Sequence, residues 1–574
     1  MARYRPRSRR GLVFAALAVV IAVAIVLIQQ GDGWLQGFSE LTREEAETKL
    51  SRVLGEVSWR EAYVTSRARV ELGGKASLSE SLPPIAKFPM TVNPSMRAGD
   101  VAVEIFASTE KSGSGTDGWM VEVANAFNAR NVRLSSGRTA KVKVRKIASG
   151  TGHEFIASGK YRPQGFSPSN HLWVRMTEAQ GVAMTPVSES MVGNIAGLVM
   201  KEEVAERLRA QYGEVNVRNL IDAVVQGNLV MGYTNPFASS TGLNFLVTVL
   251  ARFADGDEAR MLSPEVVSGF EGFQRGVPFV ALTTLQMRDS VEKDGSLDAF
   301  VMEYQTFVKT QALASGYEFI PFGIRHDNPL YGVGELGEDE REALEKFAAF
   351  AAGNEYTALA KSYGFNPPME YASPFPAPSG KTLVAAQRLW KEKKDAGRPI
   401  IAVFLCDVSG SMRGARMRGV KQALLDGAEF ISEGNSIGMV VFSNDVRVVL
   451  PIRAFDLNHK AAFHAAVQAL DAGGGTAMYD GVAVALSMLA EESRRNPDAK
   501  PLLFVLTDGK TNEGLAFADM QRIIKGMRIP VYTIGYEADL DELGRLSSLV
   551  EAASLNADEG EIRYRIGSLL NAQM

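Results

Sequence analysis

Three short polar segments in the last third of the chain carry residues suited to binding a cation, and each of the outer two directly follows an apolar run. The segments are FLCDVSGSMRG (404–414), GGGTAMYDG (473–481) and LTDG (506–509). Their candidate metal-ligating residues are Asp407, Ser409, Ser411, Thr476 and Asp508. Carboxylate and hydroxyl oxygens are hard ligands that suit Mg²⁺, which takes few carboxylates and keeps water in its coordination shell.

The elements around these segments predict a doubly wound α/β sheet. Apolar runs at 400–406, 437–442, 502–507 and 531–536 are typical of strands buried on both faces of a parallel sheet. Helical patterns separate them, and the run at 446–452 predicts an antiparallel hairpin with the second strand. Polar residues at the carboxyl ends of parallel strands meet at one edge of the sheet, so we expect the three loops to converge.

An alternative reading treats each of these polar residues as a cap or turn residue. Asp and Ser favour helix N-caps, and Asp-Gly favours turns. That reading fits any one residue alone. The occurrence of all three loops on the same predicted edge favours a cation site.

The motifs DVSGS, GGGTAMYDG and LTDG closely resemble the metal-ion-dependent adhesion site of von Willebrand factor A domains, over about residues 397–574. The resemblance implies that Asp407, Ser409 and Ser411 are the ligands of the first loop, Thr476 of the second and Asp508 of the third. It implies Mg²⁺, or another divalent cation such as Mn²⁺ or Ca²⁺. It also implies an open coordination position for an acidic side chain of a partner protein.

The middle of the chain alternates strand and helix patterns, which predicts sheets covered by helices. Strands are predicted at 101–108, 141–147 and 171–176, and a helix at 119–128. Gly- and Ser-rich loops follow several of them, where backbone N–H groups and hydroxyls can hold an anion at a helix start. Each loop alone is more typical of a capped strand–helix turn.

The order of these loops, from the serine after the first strand through SGTG, FSPSN and YTNPFASSTG to EYQ, resembles the two-lobed extracellular solute-binding proteins that include molybdate and sulfate receptors. The resemblance covers about residues 99–365 and implies two α/β lobes joined by crossover strands. The implied ligand-binding residues of the cleft are Ser108, Ser149, Thr151, Ser169, Ser240, Thr241 and Tyr304.

One difference from the solute-binding proteins argues against an anionic ligand. Glu110 closely follows Ser108, and its charge would repel a dianion unless Lys111 or another cation offsets it. A cleft that has lost its ligand and serves as an interaction surface is the alternative.

The N-terminal segment predicts a membrane helix. Five arginines lie within residues 1–10, and residues 11–28 are free of charge. Eighteen residues rise roughly 27 Å as a helix, close to the thickness of a bilayer core. The arginines predict a cytoplasmic N-terminus, with the bulk of the chain in the periplasm or outside the cell. A cleaved signal peptide is the competing reading, and it exports the same residues.

Composition limits the remaining classes. The 574 residues carry a net charge of −4, which does not favour a nucleic-acid-binding protein. One cysteine excludes an intrachain disulfide and a zinc site built of several cysteines.

The segment 366–380 holds five prolines and predicts a linker. The predicted organisation is a basic N-terminus (1–10), a transmembrane helix (11–28), a connector (29–98), a solute-binding-like region (99–365), the linker (366–380) and a von Willebrand factor A domain (381–574).

These features predict a membrane-anchored, exported binding or adaptor protein that grips a carboxylate of a protein partner through its cation. The alternative is a transport-linked receptor for a small solute, such as an oxyanion, with the C-terminal domain coupling it to a membrane complex. An enzyme is not predicted, because no general base or nucleophile dyad accompanies the cation site.

Overall fold

The computed structural model describes residues 41–70, 82–229, 231–277, 279–281, 287, 298–395, 397–509, 511–536, 543, 546, 554–557 and 561–574. The predicted transmembrane helix at 11–28 and its basic flank lie outside these residues. Within the described ranges, no helix combines the length and the apolar character that a membrane span requires.

Among the residues that the structure describes, eighteen strands form three sheets. In chain order they are β1 (Trp59–Glu61), β2 (Met90–Val92), β3 (Asp100–Ala107), β4 (Thr139–Lys146), β5 (Gly165–Ser167), β6 (Met184–Ser188), β7 (Ala196–Lys201), β8 (Met231–Thr234), β9 (Phe279–Ala281), β10 (Ala299–Glu303), β11 (Tyr317–Pro321), β12 (Leu330–Val333), β13 (Ile400–Asp407), β14 (Ser436–Phe442), β15 (Val446–Ala454), β16 (Lys500–Thr507), β17 (Val531–Tyr536) and β18 (Ser554–Ala557).

Helices cover the faces of these sheets. Among the described residues they are α1 (Arg43–Leu54), α2 (Trp119–Arg130), α3 (Ser149–Ser158), α4 (Leu172–Ala179), α5 (Glu202–Tyr212), α6 (Val217–Val225), α7 (Ser240–Phe253), α8 (Pro264–Gln274), α9 (Tyr304–Lys309), α10 (Glu338–Ala351), α11 (Asn354–Ser362), α12 (Gly380–Lys393), α13 (Ala415–Gly427), α14 (Leu457–Gln468), α15 (Met478–Arg495), α16 (Phe517–Met527) and α17 (Ile562–Gln573).

The middle region folds as two lobes. The first lobe is a six-stranded sheet of order β2-β4-β3-β5-β12-β6, and the second is a five-stranded sheet of order β11-β7-β10-β8-β9. The chain crosses between them after β6 and again after β11, and the two crossover segments pair through one bridge between Asn194 and His326. The two α/β lobes joined by crossovers are therefore present.

One strand prediction in this region is wrong. The segment 171–176 is a short, mostly apolar run that predicts a strand, yet residues Leu172–Ala179 form helix α4. Just before the helix, the side chain of Asn170 accepts a hydrogen bond from the backbone N–H of Leu172 at 3.2 Å. Trp173, Val174 and Thr177 are all buried, so the helix packs tightly on its surroundings. A run of six residues is too short for its hydrophobic pattern to distinguish a helix from a strand.

The C-terminal sheet has the order β1-β15-β14-β13-β16-β17-β18. Strands β14, β13, β16, β17 and β18 run parallel, and β15 pairs antiparallel with β14. All eight residues of β13 are buried, as its continuous apolar run predicts. This is the doubly wound sheet and hairpin expected from the sequence.

Residues from the predicted connector take part in this sheet. Strand β1 pairs parallel with β15, with Trp59 opposite Val446. Helix α1 starts with a capping box between Thr42 and Glu45, and it buries Leu50 in the apolar core under the C-terminal sheet. The segment 41–61 thus belongs structurally to the C-terminal domain, although more than 300 residues separate the two in sequence.

Helix α12 lies before the C-terminal sheet in sequence but packs on the second lobe. Trp390 is fully buried there. Its indole N–H donates to the hydroxyl of Tyr233 at 2.6 Å, and Gln387 donates to the carbonyl of Pro236 at 2.8 Å. Helix α12 therefore connects the two regions as a packed helix instead of continuing the linker.

Candidate metal centre and solute cleft

The first and third polar loops leave the C-terminal sheet side by side. Strands β13 and β16 are parallel neighbours, with Cys406 opposite Leu506. Asp407 and Asp508 therefore follow at the same edge. The hydroxyl of Thr507 donates to Oδ2 of Asp407 at 2.5 Å and links the two strand ends.

A chain of oxygen atoms connects these loops. The backbone N–H of Ser409 donates to Oδ1 of Asp407 at 2.7 Å. The hydroxyls of Ser409 and Ser411 lie 3.0 Å apart, and that of Ser411 donates to Oδ1 of Asp508 at 2.8 Å. Four of the five predicted ligand residues thus form one contiguous cluster.

The loop that carries Thr476 contacts both of the others. The backbone N–H of Gly410 donates to the carbonyl of Gly474 at 2.9 Å. The N–H of Thr476 donates to Oδ1 of Asn512 at 2.8 Å, in the loop that follows Asp508. Thr476 is buried at this junction. The structure therefore brings all three predicted loops together at one edge.

The two carboxylates are buried, whereas Ser411 is exposed. Asp407 is 1% exposed and the Asp508 side chain is 0% exposed. Burial raises the pKa of Asp407, hydrogen bonds from Ser409 and Thr507 lower it, and the charge of Asp508 raises it again. Two buried negative groups side by side favour a compensating positive charge.

Arg416, in the first turn of α13, supplies part of that charge. Its guanidinium lies 2.5 Å from Oδ2 of Asp508. The sequence did not predict a role at this site for Arg416 or for Thr507. An arginine 92 positions before its partner gives no local signal, and Thr507 resembles an ordinary strand residue.

The donor set fits a small divalent cation. Among the described residues, no three His, Cys, Asp or Glu side chains cluster, so a cation here would rely on hydroxyl oxygens as well as carboxylates. The oxygen separations of 2.8 and 3.0 Å are compatible with the distance of about 2.9 Å between adjacent ligands of an octahedron with 2.0–2.1 Å bonds. Asp407, Ser409, Ser411, Thr476 and Asp508 would hold it.

The predicted cleft residues of the first lobe bond within the chain. Ser108 and Ser169 both donate to Oε1 of Glu110, and Ser108 also accepts from Lys111. The hydroxyl of Ser149 accepts from the backbone N–H of Ser169 at 3.3 Å.

Residues of the second lobe are also paired. The hydroxyl of Ser240 accepts from the indole N–H of Trp173 at 2.9 Å, and Thr241 donates to Oε1 of Glu303 at 3.1 Å. Tyr304 is separate from these contacts, because its ring packs edge-on against Phe319 with centroids 5.3 Å apart.

Thr151 faces the C-terminal domain. Its hydroxyl lies 2.8 Å from the hydroxyl of Tyr564 in α17. A cavity of about 310 Å³ lies at this junction, lined by Lys146, Glu154 and Arg565 among others. The last helix of the chain therefore covers one side of the first lobe beside α3.

Two family models match the chain. Residues 112–366 match the model of bacterial extracellular solute-binding proteins, and residues 402–562 match the von Willebrand factor type A domain. Both resemblances expected from the sequence are confirmed.

Several characterised proteins resemble the chain in part. Inter-alpha-trypsin inhibitor heavy chain H1 of Mesocricetus auratus is 28% identical over 152 residues, which are 24% of this chain and 16% of that protein. The chain thus matches about a sixth of the length of this relative.

Two solved structures are similar to separate parts of the chain. The von Willebrand factor type A protein from Catenulispora acidiphila is 24% identical with a TM-score of 0.28, and covers 30% of this chain and 42% of its own. The sulfate-binding protein SubI from Mycobacterium tuberculosis H37Rv is 16% identical with a TM-score of 0.33, and covers 46% of this chain and 87% of its own. By the family matches, residues 112–366 are similar to bacterial extracellular solute-binding proteins and residues 402–562 to von Willebrand factor type A domains.

Proposed function

We propose that this chain is an exported binding protein, anchored by residues 11–28, that engages a carboxylate of a protein partner through a divalent cation. The observation that carries the proposal is the meeting of Asp407, Ser409, Ser411 and Asp508 at one sheet edge. Ser411 is exposed there, so a partner has access to one side of the cluster.

Each residue has a distinct task in this proposal. Asp407 and Asp508 supply negative charge from buried positions, and Thr507 and the N–H of Ser409 orient Asp407. Ser409, Ser411 and Thr476 contribute neutral oxygens, so the two carboxylates only balance the charge of a divalent cation. The cation, when bound, would supply an electrophilic centre with an open position for the partner's carboxylate.

A metal-dependent pull-down tests the proposal. The exported part of the chain is immobilised and incubated with envelope and extracellular proteins in Mg²⁺ or in EDTA, and captured proteins are identified by mass spectrometry. We expect a specific partner in Mg²⁺ that is lost in EDTA and in Asp508→Asn. The matched control is Asp498→Asn, an exposed carboxylate before β16, which should retain the partner. Capture that is unchanged in EDTA and in Asp508→Asn contradicts the proposal.

The location of the chain is tested separately. A reporter enzyme that is active only outside the cytoplasm is fused after residue 574. We expect reporter activity in the membrane fraction, because residues 11–28 would act as an uncleaved anchor. Activity only in the soluble exported fraction would instead indicate a cleaved signal peptide.

A second candidate function is a receptor for a small solute, coupled by the C-terminal domain to a membrane complex. The family match over residues 112–366 favours it. The internal bonds of Ser108, Ser169 and Thr241 count against it. Isothermal titration of the exported chain with sulfate, molybdate and phosphate decides, because saturable micromolar heat would favour this candidate.

A further inference from the structure

The carboxylate of Glu110 lies where the first lobe presents its hydroxyls and a buried ammonium. Its Oε1 accepts hydrogen bonds from Ser108 and Ser169, the latter at 2.7 Å. The Nζ of Lys111 lies 3.8 Å from the same oxygen. Lys111 also donates to Ser108 and, at 2.9 Å, to Oδ1 of Asn328. Two hydroxyls and one ammonium thus surround a single carboxylate oxygen.

Burial makes this carboxylate energetically important. Lys111 is 0% exposed and Glu110 is 5% exposed. Burial lowers the pKa of Lys111 to about 8, and the charges of Glu110 and Glu303 act in the opposite direction. A buried ammonium without a nearby anion costs several kcal/mol. Glu110 therefore stabilises the charged ammonium of Lys111, as a bound anion would.

The second lobe repeats the arrangement with its own carboxylate. Oε1 of Glu303 lies 3.0 Å from Nδ1 of His326 and accepts from Thr241 at 3.1 Å. Its Oε2 accepts from Asn194 at 3.0 Å. The carboxylates of Glu110 and Glu303, one on each side of the cleft, are thus satisfied by side chains of the chain itself.

The lobes are also closed on each other. The indole N–H of Trp173 in the first lobe donates to Ser240 in the second at 2.9 Å. The backbone N–H of Gly150 donates to the carbonyl of Ala238 at 3.3 Å. On another side, Gln305 donates to the carbonyl of Thr116 at 3.0 Å. The closed arrangement is held by direct contacts between the lobes.

We propose that Glu110 is a built-in ligand: the anion position formed by Ser108, Ser169 and Lys111 takes a carboxylate, and the chain supplies it. The solute-binding region is then a self-occupied, closed support for the C-terminal domain. This inference goes beyond the proposed function and does not rest on the cation site.

Replacement of Glu110 by alanine tests the inference by chemical rescue. Glu110→Ala deletes one methylene and one carboxylate, which are the heavy atoms of acetate. We expect a lower melting temperature (Tm) for the exported chain carrying this variant. Acetate should raise that Tm in a saturable manner, relative to chloride at equal ionic strength, and should leave the wild-type Tm unchanged.

Two further variants control for general effects of salt and of lost packing. Glu110→Ala with Lys111→Met removes the cation and should lose the response to acetate. Glu104→Ala removes another buried carboxylate of the same lobe, which pairs with Arg145 at 2.6 Å, and it controls for the cost of deleting a buried carboxylate. An equal acetate response in Glu110→Ala and its double variant would overturn the inference.

A measurement on unaltered protein keeps the test decisive if Glu110→Ala does not fold. Titration of the wild type with acetate and sulfate should give no saturable heat, because the position is filled. The isosteric Glu110→Gln keeps the size of the side chain and removes its charge, so its Tm should fall without response to acetate. Saturable binding of either anion to the wild type, or an unchanged Tm in Glu110→Gln, would overturn the inference.

Discussion

The hydroxyl of Ser411 donates to Oδ1 of Asp508 at 2.8 Å, although 97 positions separate the two residues. Ser411 is exposed, and the side chain of Asp508 is buried. The other oxygen of Asp508 pairs with Arg416 at 2.5 Å. One carboxylate therefore joins the accessible side of the cluster to its resident positive charge.

Removal of Arg416 should strengthen cation binding. The guanidinium neutralises Asp508 and competes electrostatically with a divalent ion. We expect Arg416→Ala to bind Mg²⁺ about tenfold more tightly, which corresponds to about 1.4 kcal/mol, as measured by isothermal titration. Arg413→Ala is the matched control, because Arg413 is exposed and donates to the carbonyl of Ala472. Equal or weaker Mg²⁺ binding in Arg416→Ala would show that the ion pair does not compete.

The N-terminal helix α1 should contribute to the stability of the C-terminal domain. Leu50 is 2% exposed in the core beneath the sheet. Leu50→Ala should lower the free energy of unfolding of this domain by about 2–5 kcal/mol, since it deletes buried methyl groups and leaves a cavity. Urea denaturation followed by circular dichroism measures the change.

The control for that variant is Leu457→Ala, because Leu457 is 45% exposed at the start of α14. It should change the free energy of unfolding by less than about 0.5 kcal/mol. Equal effects of the two substitutions would mean that α1 detaches readily from the C-terminal sheet.

The central strands β13, β14, β16 and β17 of the C-terminal sheet were predictable because they are long and apolar. Strand β13 buries all eight of its residues, so its continuous apolar run clearly predicts a strand. The polar residues after β13 and β16 were expected to lie together because the carboxyl ends of parallel strands meet at one edge of a sheet. The docking of β1 was not predictable. It has three exposed residues, and its pairing with β15 depends on contacts distant in sequence.

Individual contacts were less predictable than loops. The sequence predicted that the charge of Glu110 would repel a dianion unless Lys111 or another cation offset it, but not that Ser169 also bonds this carboxylate. Such contacts depend on side-chain directions set by the packing of separate strands. The hydrophobic period and the composition of the sequence carry no information about the directions of side chains.

The closed lobes should be sensitive to one glycine. A Cβ added to Gly150 would lie 2.1 Å from the carbonyl oxygen of Phe237 in the other lobe. Because this distance is far below van der Waals contact, the backbone segments around Gly150 and Phe237 must move apart. We expect Gly150→Ala to separate the lobes, to lower the Tm and to increase the radius of gyration in small-angle X-ray scattering.

Gly272→Ala is the matched control for that variant. Gly272 also lies within a helix, α8, and an added Cβ would meet nothing within 4 Å. Alanine there should be neutral or stabilising by up to about 1 kcal/mol. A Gly150→Ala chain with the wild-type radius of gyration and Tm would show that the lobes adjust without opening.

Acid should destabilise the first lobe through His153. The ring is 4% exposed, and burial lowers its pKa to about 4. Its Nδ1 lies 2.8 Å from the hydroxyl of Thr177, which itself donates to the carbonyl of Trp173, so the neutral ring donates from Nδ1. The unfolded chain takes up the proton near pH 6.5, and the folded chain takes it up only near pH 4. Stability is therefore present above pH 6.5 and is lost as the pH falls towards 4, by up to about 3 kcal/mol.

The comparison of wild type with His153→Gln isolates this contribution from that of the carboxylates. Between pH 6.5 and 4.5 the Tm of the wild type should fall more steeply than that of His153→Gln, as measured by calorimetry. His171→Gln, at a half-buried ring hydrogen-bonded to Tyr331, should keep the steep wild-type slope. Equal slopes for the wild type and His153→Gln would mean that the buried ring is protonated at the same pH in the folded and unfolded chains, because only a difference in proton uptake makes stability depend on pH.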